Sequence, residues 1–175
     1  MLVKPDVEAY LDIETTGFHP VQNEITVVGI YLTNGHWDRL IQLVGRNITR
    51  EAIIESMQGV SSLYTYNGRR FDLPFINARH GINLEQSFNH CDLMHHCWKN
   101  NLYGGLKVVE QCLGIERRLK DVNGLEAVKL WWRYVEYADQ IALHKLLDYN
   151  KEDVVNLKVL KDKLLNPAKS PKNPG

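Results

Sequence analysis

No surplus of positive charge marks this chain. Lys plus Arg and Asp plus Glu each number 21 in 175 residues, so the global basic bias of many nucleic-acid binders is missing. That weakens the case for binding a polyanion through charge alone, but not for gripping phosphate through bound cations, which bring their own charge. Cysteine is scarce, three in all and none as CxxC, which fits reduced thiols and not a disulfide framework. No apolar run approaches the roughly 20 residues a bilayer span requires, and the N-terminus lacks a charged-then-apolar leader pattern. The expected address is cytoplasmic, with no membrane partner, and Asn47-Ile48-Thr49 then carries no meaning as a glycosylation acceptor. Internal repeats and an interior linker are also missing. What remains is 44% hydrophobic and 24% charged, a globular composition on a chain long enough for one full core. Charge is uneven along it: residues 1–60 hold eight acids against four bases, and residues 145–175 seven bases against four acids.

Pattern and punctuation suggest the elements. Residues 8–14, 24–32 and 37–44 read as strands, the last two joined by the Asn34-Gly35 turn of a hairpin. Residues 50–58 read as a helix capped by Thr49 and ended by Gly59, and residues 71–80 as a second stopped by Gly81. Between them 62–66 is a strand, and 87–91 a short fifth. Helices are expected over 93–99, 106–113, 125–137 and 140–165, with Asn166-Pro167 ending the longest. A domain over residues 1–167 and a loose tail over 168–175 follow. Antiparallel strands first, then strands alternating with helices, then helices, make a mixed α/β layered domain.

The informative stretch is Ala9-Tyr10-Leu11-Asp12-Ile13-Glu14-Thr15-Thr16-Gly17. On a strand Asp12 and Glu14 share one face, and Leu11 and Ile13 the other. Two neighbouring like charges repel unless neutralised; an oxygen-seeking divalent cation would do so, and a solvated acidic edge is the plainer alternative. A third acid, Asp72, lies in Asn67-Gly68-Arg69-Arg70-Phe71-Asp72, at a strand–helix junction where loops present functional groups. A fourth, Asp153, stands four residues after Tyr149, so both share one helix face. Leu146, Leu157 and Leu160 continue that face inward, where an unpaired acid is costly. Asp148 and Glu152 turn about 100° away per residue step and are expected in solvent.

Together, Asp12-Ile13-Glu14, Asn67-x-x-x-Phe71-Asp72 and Tyr149-x-x-x-Asp153 resemble the three motifs of the DEDD superfamily of 3′–5′ exonucleases, DnaQ-like, in its tyrosine (DEDDy) branch. The stretch from Asp92-Leu93 to Gly105-Leu106-Lys107-Val108-Val109-Glu110-Gln111-Cys112-Leu113-Gly114-Ile115 resembles the YprB-type members. The resemblance covers roughly residues 8–165 and implies a ribonuclease H-like α/β fold: a mixed five-stranded sheet, three antiparallel strands then two parallel, flanked by helices. It also implies hydrolysis at the 3′ end of DNA or RNA, single-stranded favoured, with release of nucleoside monophosphates. Two ions, Mg²⁺ or Mn²⁺, suit four carboxylates without Cys or His. By similarity Asp12, Glu14 and Asp153 hold the first ion, Asp12 also reaches the second, Asp72 acts through water, and Tyr149 orients the attacking water.

Substrate contacts expected from the same resemblance are the Thr15, Thr16 and Gly17 turn, with Phe18 stacking on the last base. A loop anchor is the alternative for Phe18. Asn67 is a candidate sugar or phosphate contact, and Arg69 and Arg70 candidate phosphate contacts or solvated turn residues. Cys91, His95, His96 and Cys97 lack zinc-ligand spacing and are read as core and surface. Of Trp131 and Trp132 one is expected in the core, the other on a contact surface for a second subunit or protein partner. Two rival readings share these residues: an endonuclease on a ribonuclease H-like fold, and a catalytically idle nucleic-acid-binding or scaffold domain.

Overall fold

The computed structural model describes residues 6–165; the expected Asn166-Pro167 stop and the 168–175 tail lie outside them. Five strands form one mixed sheet: β1 (Val7–Thr15), β2 (Ile25–Thr33), β3 (Asp38–Val44), β4 (Val60–Thr65) and β5 (Asn89–Asp92). Their order is β3-β2-β1-β4-β5, with the β1–β2 and β2–β3 pairs antiparallel and β1–β4 and β4–β5 parallel. The acid-bearing β1 is therefore the central strand, which excludes the solvated-edge alternative for Asp12 and Glu14.

Strand alternation gives β1 two unlike faces. Ala9, Leu11 and Ile13 join one core with Ile53, Phe75, Ile76 and Leu84. These come from α1 (Arg50–Ser56), α2 (Asp72–His80) and the four-residue α3 (Leu84–Ser87). The opposite face carries Tyr10, Asp12 and Glu14. Across it runs α7 (Gln140–Leu165), flanked by α4 (Leu93–Lys99), α5 (Leu106–Cys112) and α6 (Gly124–Tyr137). Two smaller apolar clusters support α7 there. Val27, Leu130, Trp131 and Leu146 form one, Tyr10, Leu93, Leu157 and Leu160 the other. The acids sit between them, at the C-terminal end of β1.

The caps expected from sequence form at both early helices. The Thr49 hydroxyl accepts the Ala52 N–H, and Gly81 closes α2 at φ 65°, the left-handed conformation glycine tolerates best. Boundaries shift where local hydrogen bonding competes. Asn83 accepts the Gln86 N–H and starts α3 in a stretch read as loop and strand, which delays β5 to Asn89. Trp131 is buried and Trp132 is 44% exposed, the expected division between core and surface.

Candidate metal-dependent active site

Asp12, Glu14 and Asp153 converge. One carboxylate oxygen of each lies within 4.8 Å of the other two, although Asp12 and Asp153 are 141 positions apart in the chain. The strand supplies two acids by alternation and α7 lays the third against them. A bulge between Glu14 and Thr15 breaks the β1–β2 register at this point, the kind of irregularity that re-aims side chains at a strand end. Asp72, first residue of α2, is buried and accepts the backbone N–H of Ile13 at 3.0 Å. It is outside the group of three ligand atoms, though its charge acts on both Asp12 and Glu14.

The electrostatics follow from crowding acids in a dry place. Burial first, then the charges of Asp153, Asp72 and Glu14, hold the Asp12 carboxyl well above the usual carboxylate range. Glu14 is raised by burial and by Asp153 and Asp72. Burial pushes Asp72 up to about 7 against the N–H bond from Ile13, and Asp153 up to about 6 against the Arg117 guanidinium. The Tyr149 hydroxyl is raised too, by burial and by the Asp153, Glu14 and Asp12 charges, so it keeps its proton at neutral pH. Buried like charges of this kind call for a cation.

The donor set fits a hard divalent ion. All three converging ligands are carboxylate oxygens, and Glu14 Oε1 is buried with no hydrogen-bond partner. An unpaired charged oxygen at that depth is costly unless a cation meets it.

A pocket of about 380 Å³ opens on the cluster, lined by Asp12, Ile13, Glu14, Thr15, Thr16, Gly17, Phe18, Phe71, Tyr149 and Asp153 with the start of α6. Thr15 Oγ1 donates to the Gly17 carbonyl at 2.7 Å, and Thr16 Oγ1 accepts the Glu24 N–H at 3.0 Å. Those bonds pin the turn. Phe18 is 83% exposed and meets Phe71 edge-on at 6.3 Å, so it is a rim residue and not a buried loop anchor. Asn67 and Arg69 do not line the pocket. Their backbone N–H groups donate to the Asp92 carboxylate at 2.8 and 3.1 Å, and the Arg69 guanidinium pairs with Glu85 at 2.7 Å.

Several contributors escaped the sequence reading. Arg117 is buried, donates to both oxygens of Glu110 at 2.7 and 2.8 Å, and pairs with Asp153. Burial works against its charge, yet Glu110 and Asp153 outweigh that and hold its pKa above the usual value. Asn156 Nδ2 donates to Glu110 at 3.0 Å and completes the network. Lys107 stands 4.9 Å from the centre of the Tyr149 ring. Glu152, expected in solvent, instead accepts the N–H groups of Arg118 and Leu119 at 2.7 and 3.0 Å. It ties down the segment that delivers Arg117. The one available signal was Glu110, an acid in the apolar row of α5.

A family model described as RNase_H superfamily matches residues 9–165. The chain belongs to that superfamily. YprB of Bacillus subtilis is 33% identical over 127 residues, covering 65% of this chain and 30% of its own. A Methanocaldococcus jannaschii protein is 26% identical over 170 residues, covering 84% and 89%. Among solved structures, the family B DNA polymerase of Pyrobaculum calidifontis superposes with a TM-score of 0.72 at 16% identity, over 93% of this chain and 25% of its own. Brucella melitensis NrnC bound to pGG gives 0.59 at 19% identity, over 92% and 74%. At such identities the likeness is one of fold. This chain spans about a third of YprB and a quarter of the polymerase. Among the described residues of this superfamily member, no helix is long and apolar enough to cross a membrane.

Proposed function

We propose that this RNase_H-superfamily chain is a metal-dependent 3′–5′ exonuclease that hydrolyses the terminal phosphodiester of single-stranded DNA or RNA and releases nucleoside monophosphates. The observation that carries the reading is the convergence of Asp12, Glu14 and Asp153, with the unpartnered Glu14 oxygen, beneath a pocket that Tyr149 also lines. Membership of the superfamily and a fold shared with NrnC, solved bound to pGG, support it.

Asp12, Glu14 and Asp153 would hold Mg²⁺ or Mn²⁺, two ions in all, with Asp72 contributing a fourth negative charge. Such ions supply charge for the phosphate and the leaving oxygen and make water acidic enough to attack near neutral pH. The chain does the rest. Protonated Tyr149 orients the attacking water through its hydroxyl and is not a base, because its proton is held too tightly. The pinned Thr15-Thr16-Gly17 turn offers backbone to the terminal nucleotide, and Phe18 offers an exposed ring for its base. At about 380 Å³ the pocket falls within the size range of ligand sites, roughly 300–1,000 Å³.

The test is digestion of 5′-labelled single-stranded DNA, RNA and duplex, beside a circular single strand, with Mn²⁺ or Mg²⁺. A ladder shortening from the 3′ end, with the circle intact, is expected. A cut circle would make the protein an endonuclease. No cleavage, together with no Mn²⁺ binding by calorimetry, would make it a scaffold.

A further inference from the structure

Asp12 is held in place by a device assembled from three other elements. Asn150, next to Tyr149 on α7, is completely buried. Its Nδ2 donates to the backbone carbonyl of Asp12 at 3.3 Å and to the carboxylate Oδ2 of Asp12 at 3.2 Å. Its Oδ1 accepts from Gln42 Nε2 on β3 at 3.0 Å, and the same Gln42 nitrogen donates to the Leu147 carbonyl at 2.8 Å. An amide has one donor end and one acceptor end. With Gln42 donating to Oδ1, only the donor end of Asn150 is left to face Asp12.

Gly29 makes the room. It stands opposite Asp12 in the β1–β2 register, on the face α7 covers. A Cβ there would come within 2.1 Å of Asn150 Oδ1. Glycine weakens a strand interior and marks places where another group approaches closely; here the approaching group is the Asn150 amide. Three residues from β2, β3 and α7 thus fix one oxygen of one acid and leave its other oxygen for a ligand.

We infer that Asn150, oriented by Gln42 and admitted by Gly29, is the positioning residue of this site, setting the Asp12 carboxylate in the orientation a divalent cation needs. The inference rests on the metal-dependent reading above and adds a residue chain reaching to β3, behind the acids. It differs from a plain structural tie between α7 and the sheet, because loss of a tie would lower stability and leave Mn²⁺ affinity and kcat per folded molecule unchanged.

Gln42→Glu separates the two. A carboxylate at position 42 cannot donate to Asn150 Oδ1 or to the Leu147 carbonyl, so the Asn150 amide loses the partner that orients it toward Asp12. Charge alone would make the variant bind a cation more tightly; lost positioning makes it bind more weakly. The expected result is Mn²⁺ affinity at least ten-fold weaker by calorimetry. A ten-fold or larger fall in kcat per folded molecule accompanies it, with KM for a single-stranded oligonucleotide unchanged. Gln42→Met, which removes the donor without adding charge, should fall between the two. Gly29→Ala should resemble Gln42→Glu, and if it does not fold the Gln42 pair still decides. Equal or tighter Mn²⁺ binding with unchanged kcat in Gln42→Glu overturns the inference while leaving the nuclease reading standing. A wild-type protein that neither binds Mn²⁺ nor cleaves overturns both.

Discussion

The two faces of β1 solve opposite problems with neighbouring residues. Ala9, Leu11 and Ile13 pack against α1, α2 and α3 as plain hydrocarbon. Tyr10, Asp12 and Glu14 face α7, and toward the strand's end that face becomes so acidic that burial and mutual repulsion lift its carboxyl groups out of their usual range. The apolar face carries stability. The acidic face carries the proposed chemistry, and hydrophobic clusters on either side hold α7 against it. The lesson is that adjacent positions on one strand should respond in opposite ways to mutation.

The largest effect tests the acidic face. Asp12→Asn should lower turnover about a thousand-fold or more, about 4 kcal/mol in the barrier, while the melting midpoint stays level or rises because a buried charge is gone. Single-turnover cleavage beside a thermal melt measures both, and retained turnover would remove Asp12 from the chemistry. On the other face, Leu11→Ala should cost about 2–5 kcal/mol of folding stability by urea denaturation, with normal cleavage per folded molecule. Were Leu11→Ala to fail catalytically while remaining folded, the division between the faces would collapse.

Titration sharpens the contrast. Asp72 reaches about 7 and Asp153 about 6 in the folded, metal-free protein, whereas an unfolded Asp titrates near 3.9. Between roughly pH 4 and 7 the folded state therefore binds more protons than the unfolded chain. Their contribution is fully present below about pH 4 and is lost as pH rises through 6 to 7, on the order of a few kcal/mol. Urea melts in EDTA should show this slope, Asp72→Asn should make it shallower, and Mn²⁺ at pH 7.5 should restore the stability. A slope identical in the Asp72→Asn variant would assign the effect to other groups. Tyr149→Phe should slow cleavage about 10–100-fold while Mn²⁺ binding and melting stay unchanged; an undiminished rate would excuse Tyr149. Smallest of all, Phe18→Ala should raise KM several-fold, in line with roughly 1 kcal/mol of lost stacking. Its thermal midpoint should not move, because the ring is already in solvent.

Much of this was legible from residue order. Strand alternation paired Asp12 with Glu14, and helical spacing put Tyr149 with Asp153 on the inward side of α7. The Asn-Gly turn and the glycine stops marked the elements and the antiparallel strands, and the parallel half of the sheet followed from the family resemblance. Arg117 was not legible, because its guanidinium arrives from a connection whose path depends on Glu152 gripping its backbone. Such a contact has no period. Asn67 and Arg69 lie within a motif, but the anchoring of both backbones on the Asp92 carboxylate has no period to reveal it. Gln42 gave no signal either, since its role is defined only once β3 and α7 lie side by side.

Arg117 has a consequence for supply. Its guanidinium meets Asp153, while N–H groups of Ile13 and Asn150 meet Asp72 and Asp12, so these three acids have partners before any ion arrives. Loading then completes a site that is already partly compensated, and withdrawing the ion should idle and loosen the protein without dismantling it. Chelation followed by replenishment is expected to recover full turnover with no refolding lag, so the ambient concentration of free divalent ions would act as a throttle on the molecule.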